Sequence, residues 1–463
     1  MKTLKRVFVA NRGEIAVRVI RACKALGLET VLGVSEADRA SLGARLADRV
    51  ICIGPPPAAQ SYLRPEILVT AALGAGCQAL HPGYGFLSER ASFQRLCSDA
   101  GLAFVGPPAE AMEAMGDKLN AIRIARRSGV PTVPGSGDLV SAQSASAAAA
   151  TIGFPCLLKA SAGGGGRGMR IIRSEGELAA AFASAGAEAR AAFGDATLYL
   201  EKYIEQARHV EVQVIGDLSG DLRHLLERDC SVQRRHQKLI EEAPAPGLPP
   251  AARTEMTEAA LALAREVGYA SAGTVEFVYD IAAERYYFLE MNTRIQVEHH
   301  VTEAITGVDL VREQLRIAAG ERLSFRQTEI AAHGHAIECR INAEDPARDF
   351  APSPGRVARW DAPSGPGVRL DTHCFEGCVV PPYYDSLLAK LIVWGEDRDC
   401  AVARALAALE DFNVEGVSTT IPFHRDVLSH PDFRGANVTT RWVEDGFLAS
   451  SPRHGNVRLR ANG

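Results

Sequence analysis

A run of four consecutive glycines lies between two predicted strands in the first half of the chain. The stretch reads Ser161-Ala162-Gly163-Gly164-Gly165-Gly166-Arg167-Gly168-Met169. Apolar residues at 156–160 and 169–173 flank it and predict two strands, so the glycines join them as a hairpin flap. A dinucleotide fingerprint needs a helix directly after its glycines, and a P-loop needs Gly-Lys-Ser/Thr; neither follows here. Consecutive glycines cost chain entropy, which favours a flap whose backbone N–H groups cover a polyphosphate, with Lys159 as a point charge, over a mobile connector.

Two further predicted strands carry acids among apolar residues. Residues 274–279 and 286–292 indicate a hairpin, with Glu276 on its first strand and Glu290 and Asn292 on its second. Residues two apart project to one face of a strand, and an acid inside an apolar strand is either paired or holds a cation. Hard oxygen ligands suit Mg²⁺, so these three residues are candidate metal ligands.

The same alternation continues beyond the second strand, through Arg294, Gln296 and Glu298. If the segment stays extended, all these polar side chains share one side with Glu290 and Asn292. A guanidinium beside a metal site suits the capture of an anion. The alternative is a solvated strand face without a ligand.

The first hundred or so residues alternate short apolar runs with helical patterns, which predicts a parallel, doubly wound α/β sheet. Its strands are expected at 6–10, 29–34, 50–53, 77–80 and 103–105. Functional groups in such sheets follow the carboxyl ends of strands, which marks the loops Asn11–Glu14 and His81–Phe86. A single helix is expected around Pro108–Arg127, ending at Ser128-Gly129-Val130-Pro131. We expect domains at 1–130, 131–204 (a small α+β lid) and 205–463 (mixed, with antiparallel strands).

Composition limits the function. The 463 residues include 51 Lys+Arg and 56 Asp+Glu, for a net charge of −5, which argues against nucleic acid as a partner. Apolar residues never run on for the roughly 18 positions that a membrane span needs. The ten cysteines are scattered without a Cys-x-x-Cys pair, which indicates reduced thiols and a cytoplasmic location.

Several long motifs occur in one order along residues 4 to about 445. They are Ala10–Ala16, His81–Glu89, Met115–Lys118, Lys159 with the glycine flap, Glu227–Ser231, Gln233–Pro246, Glu290–His299, His335–Pro346 and Pro381–Ser386. Together they resemble the biotin carboxylases of the ATP-grasp superfamily. The resemblance implies an N-terminal Rossmann-like domain, a mobile ATP-grasp lid and a mixed α/β C-terminal domain. It implies carboxylation of biotin with ATP and bicarbonate, through carboxyphosphate.

The resemblance also implies a role for each matched residue. Those matching the ATP contacts are Lys118, Lys159, Gly165, Gly166, Gln233, His236 and Glu276, with Glu201, Lys202, Tyr203 and Ile204 at the adenine and His209 at the ribose. Those matching the ligands of Mg²⁺ or Mn²⁺ are Glu276, Glu290 and Asn292. Those matching the bicarbonate pocket are Lys238, Arg294, Gln296 and Val297. Glu298 matches the base that deprotonates bicarbonate, Arg340 the group that stabilises the biotin enolate, and Tyr84 the ring near biotin.

The partners expected from the resemblance are a biotin carboxyl carrier protein, carboxyltransferase subunits and a second copy of the chain. The segment Asn292–His299 looks more like acetyl-CoA or acyl-CoA carboxylases, which serve fatty acid biosynthesis, than like pyruvate carboxylase. Biotin acceptors carry Met-Lys-Met, and none of the six methionines here flanks such a lysine, so biotin is expected to arrive on a separate carrier. The alternatives are another ATP-grasp ligase or a non-catalytic nucleotide-binding paralogue. One departure is His300, where the family usually has proline.

Overall fold

The N-terminal part of the chain is a parallel sheet covered by helices on both faces. The computed structural model describes residues 4–139, 141–161 and 169–450. The first strands are β1 (Arg6–Val9), β2 (Glu29–Ser35), β3 (Arg49–Gly54), β4 (Ala79–His81) and β5 (Ala103–Phe104). They pair in parallel in the order β3-β2-β1-β4-β5, which confirms the predicted sheet.

Both faces of this sheet are buried, as the continuous apolar run in β1 requires. Val7 and Val9 pack in one cluster with Ile20, while Phe8 points to the other face and packs with Leu68. The helices of this part are α1 (Gly13–Ala25), α2 (Leu42–Leu46), α3 (Pro65–Gly74), α4 (Ala91–Asp99), α5 (Ala109–Gly116) and α6 (Lys118–Arg127), with short 3₁₀ turns at Glu36–Asp38 and Ala58–Gln60.

The single helix predicted around Pro108–Arg127 is wrong, because the chain breaks between α5 and α6 at Asp117. This residue is extended (φ −91°, ψ 117°), and its side chain accepts a hydrogen bond from the Asn120 amide at 2.6 Å. A carboxylate at this position caps the N-terminus of α6. The break therefore places Lys118 on the first residue of a new helix.

A small α+β unit follows. Its elements are α7 (Ala142–Ile152), β6 (Cys156–Ala160), β7 (Arg170–Ile172), α8 (Glu175–Phe193) and β8 (Leu198–Lys202), and the three strands form an antiparallel sheet in the order β7-β6-β8. The two strands predicted on either side of the glycines are thus paired neighbours. The glycines themselves, with the predicted contacts Gly165 and Gly166, lie outside the described residues.

The remaining chain is built on one antiparallel sheet that runs from the middle of the sequence into its C-terminal third. The remaining strands are β9 (Ala207–Gly216), β10 (Leu222–Arg234), β11 (Gln237–Ala243), β12 (Ser271–Asp280), β13 (Arg285–Asn292), β14 (His335–Asn342), β15 (Glu344–Asp345), β16 (Ala351–Pro352), β17 (Gly355–Arg356), β18 (Arg359–Asp361), β19 (Val368–Thr372), β20 (Val379–Val380), β21 (Leu387–Gly395) and β22 (Asn413–Glu415). Eight of them form the sheet β13-β12-β9-β10-β11-β14-β21-β19, and the short ones pair as β15–β16, β17–β20 and β18–β22.

Helices cover this sheet and complete the C-terminal part. They are α9 (Pro250–Glu266), α10 (His299–Thr306), α11 (Leu310–Ala318), α12 (Arg398–Asp411), α13 (Ile421–Ser429), α14 (Pro431–Arg434) and α15 (Leu448–Ser450), with 3₁₀ turns at Gln327–Glu329 and Pro346–Arg348 and a π-helical stretch at Trp442–Phe447. No helix in the described part of the chain combines the length and the apolar character that a membrane crossing requires.

The alternation along β9 sets the two faces of the large sheet. Val210, Val212 and Val214 pack in one apolar cluster with residues of α9, such as Met256. Side chains alternate between the faces of a strand, so Glu211 and its neighbours on adjacent strands are directed to the opposite face. That polar face is where the predicted site residues gather.

Candidate active site

Three carboxylates lie in a row across the polar face of the large sheet. Glu276 on β12 is directly opposite Glu211 on β9 and also directly opposite Glu290 on β13. Like charges placed directly opposite each other are destabilising in an antiparallel sheet. The three carboxylates therefore need nearby cations, and one of these cations is a side chain of the protein itself.

Lys238 is that cation. Its ammonium donates to Glu211 Oε2 at 2.6 Å, to Glu276 Oε1 at 3.0 Å and to Glu298 Oε1 at 2.6 Å. Burial alone lowers the pKa of a lysine, but the surrounding anions outweigh it and raise the Lys238 pKa well above its usual value. Lys238 is therefore charged at neutral pH and can offer its donors to an anionic ligand.

Glu298, the predicted base, is fully buried at the start of α10. Its second oxygen accepts from Arg340 at 2.9 Å, and Arg340 also donates to Glu241 at 2.6 Å. Burial favours the protonated form of Glu298, but Lys238 and Arg340 outweigh it and lower the pKa. The carboxylate is therefore ionised at neutral pH. The neighbouring Glu241 responds in the opposite direction, and burial raises its pKa to about 7.

Arg294 links the carboxylate row to the N-terminal part. Its guanidinium donates to Asn292 Oδ1 at 3.0 Å, to Gln296 Oε1 at 2.7 Å and to Glu89 Oε2 at 3.0 Å. Gln296 in turn donates to Glu276 Oε1 at 2.9 Å. Glu89 belongs to the His81–Glu89 motif, so the loop after β4 reaches this site, as expected for a parallel sheet.

The segment from Glu290 to Glu298 does not stay extended, so the condition under which all its polar side chains would share one side is not met. Strand β13 ends at Asn292, and the chain bends before α10 starts at His299. Arg294 and Gln296 still converge on Asn292 and Glu276 because the bend folds their side chains back over the sheet edge.

The predicted metal ligands fit a divalent cation. Glu276 and Glu290 are cross-strand partners, and Asn292 lies two residues further along β13. Burial and the charge of Glu276 raise the pKa of Glu290, which marks an excess of negative charge that a cation relieves. Asn292 would offer its Oδ1 oxygen to the cation, and this oxygen accepts from Arg294 at 3.0 Å in the structure. Lys118 lies 3.9 Å from Glu290 and His209 lies 3.1 Å from Glu276, at the rim of this oxygen cluster.

Several residues predicted to hold the nucleotide lie on the strands of the small α+β unit and around the β10–β11 turn. Lys159 on β6 is hydrogen-bonded to Glu201 on β8, and Lys202 donates to the Phe154 carbonyl at 3.0 Å. The Tyr203 hydroxyl accepts from Arg441, and Ile204 packs in a small apolar cluster. Gln233 donates to the Cys230 carbonyl at 3.3 Å near the end of β10, and His236 is exposed in the turn that follows.

The predicted biotin contact Tyr84 lies in the loop after β4 and is partly buried. The Asn11 side chain, after β1, donates to the Tyr84 carbonyl at 2.8 Å, so the two loops marked in the sequence are joined. His300, where the family usually has proline, is fully buried and hydrogen-bonded to Asp371 at 2.9 Å.

Some residues of this network were not predicted from the sequence. Arg228 is fully buried; it donates to Glu211 at 2.6 Å and to Gln213 at 2.7 Å. Glu211 thus links Arg228 to Lys238, and Glu298 links Lys238 to Arg340. Glu276 was predicted as a site residue because it is an acid in the middle of an apolar strand. Glu211, between Val210 and Val212, has the same pattern and could have been predicted in the same way.

We expect Glu211→Gln to destabilise the fold, because it leaves Arg228 buried without its carboxylate. Breaking a buried ion pair costs about 3–5 kcal/mol. The free energy of unfolding in urea measures this loss. The matched control is Glu227→Gln: Glu227 is equally buried, but its partner Arg253 is one-third exposed (33%) and can turn to water. The control should lose about 1–2 kcal/mol, and equal losses in both variants would contradict the account.

Comparisons with known proteins match family models to the N-terminal, central and C-terminal parts of the chain. Residues 3–112 match the family model for the biotin carboxylase N-terminal domain, and residues 338–445 match that for the biotin carboxylase C-terminal domain. Between them, residues 117–326 match the carbamoyl-phosphate synthase L chain ATP binding domain. The chain belongs to the biotin carboxylase family.

Curated relatives and solved structures agree with this membership. Biotin carboxylase of Nostoc is 51% identical over 95% of this chain and 98% of its own length, and biotin carboxylase 1 of Bacillus subtilis is 50% identical over 95% and 98%. A Campylobacter jejuni biotin carboxylase–β-γ-ATP complex superposes with a TM-score of 0.92 at 46% identity, covering 95% of this chain and 98% of that one. The biotin carboxylase domain dimer of Hydrogenobacter thermophilus 2-oxoglutarate carboxylase, with MgADP and bicarbonate, gives 0.91 at 50%, covering 96% and 98%.

Proposed function

We propose that this chain carboxylates biotin with ATP and bicarbonate, the first half-reaction of an acetyl-CoA or acyl-CoA carboxylase. The observation that carries the proposal is the pair of contacts on Glu298. One oxygen accepts from Lys238, which also contacts the candidate metal ligand Glu276, and the other accepts from Arg340, on the proposed biotin side. A single base therefore stands between the site for phosphoryl transfer and the site for biotin.

In the first step, a bicarbonate oxygen attacks the γ-phosphorus of ATP, the bond to the β–γ bridging oxygen breaks, and carboxyphosphate and ADP form. Lys238, Arg294, Gln296 and Val297 hold the bicarbonate. Glu298 accepts its proton and is ionised beforehand, because Lys238 and Arg340 lower its pKa. When Lys238 turns its donors to the bicarbonate, Glu298 loses a stabilising partner and becomes a stronger base.

Charge on the phosphates must be spread during this transfer. Glu276, Glu290 and Asn292 would hold Mg²⁺ or Mn²⁺, which when bound neutralises the phosphate oxygens. Lys118, Lys159, the flap glycines and His236 supply donors to the phosphates. A closed lid keeps water from carboxyphosphate, which is a labile mixed anhydride.

In the second step, carboxyphosphate releases CO₂ and phosphate. The phosphate takes the N1 proton of biotin, the enolate forms beside Arg340, and its N1 attacks CO₂. The hydrogen bonds from Arg340 to Glu241 and Glu298 fix its guanidinium. A donor held in place before charge develops costs no reorganisation during the reaction.

The rival assignment is another ATP-grasp ligase, since the central match carries the name of carbamoyl-phosphate synthase. The residues proposed to contact biotin disfavour this assignment. Arg340 contacts the base directly, and the Asn11 side chain joins the turn after β1 to the Tyr84 loop. A non-catalytic paralogue is disfavoured because Glu276, Glu290, Arg294 and Glu298 are all present.

The proposal also includes the partners of the chain, its domain boundaries and its location. Biotin arrives on a carrier protein that also visits a carboxyltransferase, and the chain works as a homodimer. The lid comprises residues 131–204, between domains at 1–130 and 205–463. A cytoplasmic location suits the ten cysteines, all of which have free thiols.

The test is ATP hydrolysis by the purified chain, followed as ADP release. We expect hydrolysis only with bicarbonate present, and faster hydrolysis when free biotin is added. Turnover of ATP with ammonia or an amino acid, and none with biotin, would contradict the proposal.

A further inference from the structure

Lys390 is a buried cation beside the proposed bicarbonate and biotin pocket. None of the roles assigned above involves this residue. It lies on β21, directly opposite Arg340 on β14, and its exposed fraction is 0%. Directly opposite residues in an antiparallel pair project to the same face. Two cations side by side repel, so Lys390 requires fixed acceptors of its own.

Its two partners come from different parts of the fold. The Lys390 ammonium donates to the Val297 carbonyl at 2.9 Å and lies 3.0 Å from Glu14 Oε2. Val297 belongs to the proposed bicarbonate loop, immediately before the base. Glu14 belongs to the Asn11–Glu14 segment that the sequence marked after the first strand. In the structure it lies in the first turn of α1 and is buried. Lys390 therefore joins the bicarbonate loop to the N-terminal domain.

Glu14 extends this connection to the biotin side. Its other oxygen accepts from the Tyr84 hydroxyl, and the Lys390 ammonium lies 5.6 Å from the centre of the Tyr84 ring. Just before α1, the Asn11 side chain donates to the Pro82 carbonyl at 2.6 Å and to the Tyr84 carbonyl at 2.8 Å. The Asn11–Glu14 segment therefore fixes both the hydroxyl and the backbone of Tyr84.

We propose that Glu14 and Lys390 are positioning residues that hold the Val297 carbonyl and the Tyr84 ring in one rigid assembly. The inference rests on the proposed function and deepens it, because it gives both residues a task in holding bicarbonate next to biotin. Neither residue touches the reacting atoms. They act through Val297 and Tyr84, so that CO₂ released at one side meets the enolate at the other.

Lys390→Met tests this inference through the separate kinetic constants. We expect the KM for bicarbonate to rise about 10-fold, because the Val297 carbonyl loses its donor. We expect kcat for biotin carboxylation to fall about 10²-fold, because a displacement of reacting groups by about 1 Å lowers the rate by that factor. The KM for MgATP should stay within about twofold, since neither residue contacts the nucleotide residues. A purely structural role would reduce the active fraction, lower kcat and leave every KM unchanged, and that result would overturn the inference.

A second variant keeps the test sound if the first one does not fold. Lys390→Met leaves Glu14 buried without its cation, whereas Glu14→Gln with Lys390→Met removes both charges and keeps the volume. The same changes in KM and kcat are expected in the double variant. The matched control is Glu242→Gln, which removes a buried carboxylate bonded to His335 and Arg398, outside the pocket. The control should keep the parent constants.

A double-mutant cycle tests whether Glu14 acts through Tyr84. We expect the losses in kcat/KM for biotin from Glu14→Leu and Tyr84→Phe to be non-additive, because each substitution removes the same hydrogen bond from the Tyr84 hydroxyl to Glu14. Additive losses would overturn the inference. A parent chain without bicarbonate-dependent biotin carboxylation would refute the proposed function itself. An active parent, with variants that keep its KM values, would refute this inference alone.

Discussion

Glu290→Lys should abolish the Mg²⁺-dependent binding of ATP. Glu290 is the cross-strand partner of Glu276, and Lys118 already lies 3.9 Å from its carboxylate. The substitution places a cation where a divalent ion must bind and sets a second one beside Lys118. Titration calorimetry with MgATP should give no measurable heat of binding, while circular dichroism should match that of the parent.

The matched control for this variant is Glu284→Lys. Glu284 lies exposed in the turn of the same β12–β13 hairpin, so the charge change and the host hairpin are identical. We expect the control to bind MgATP as the parent does. Unchanged MgATP binding in a folded Glu290→Lys variant would show that Glu276, Glu290 and Asn292 do not form the metal site.

Glu298→Gln should keep nucleotide affinity and lose carboxylation. The substitution removes the proposed base but leaves Glu276, Glu290 and Asn292 intact. A general base contributes about 10²–10⁴-fold, so kcat for biotin carboxylation should fall by that factor. The variant should fold, because Lys238 keeps Glu211 and Glu276 as partners.

The control here is Glu313→Gln. Glu313 is also a buried carboxylate near the start of a helix, and its side-chain partners are Ser324 and Arg316. Its activity should match that of the parent. Carboxylation by Glu298→Gln within a few-fold of the parent would place the base elsewhere.

The fold could be predicted from the sequence wherever local patterns decide the structure. The parallel sheet follows from apolar runs such as Val7–Val9, and the site hairpin follows from the alternation around Glu276. The break at Asp117 was missed because the helical spacing runs on through it. Its signal was an N-cap residue inside the pattern, where a carboxylate can satisfy the free amide of Asn120.

The site could be predicted in part, because motifs mark residue types but not their neighbours. Lys238 and Glu298 were assigned, yet their contact with each other depends on how β11 and α10 meet. Glu211 and Lys390 carried a usable signal, a charged residue within an apolar strand. Their partners depend on the strand order β9-β10-β11-β14-β21, which no local pattern contains.

The transfer of oxygen from bicarbonate to phosphate tests the central claim most directly. Bicarbonate labelled with ¹⁸O is supplied with ATP and biotin, and the phosphate released is analysed by mass spectrometry. If bicarbonate attacks the γ-phosphorus in the pocket of Lys238, Arg294 and Glu298, each phosphate carries one bicarbonate oxygen. Phosphate whose added oxygen comes from water instead would contradict the account.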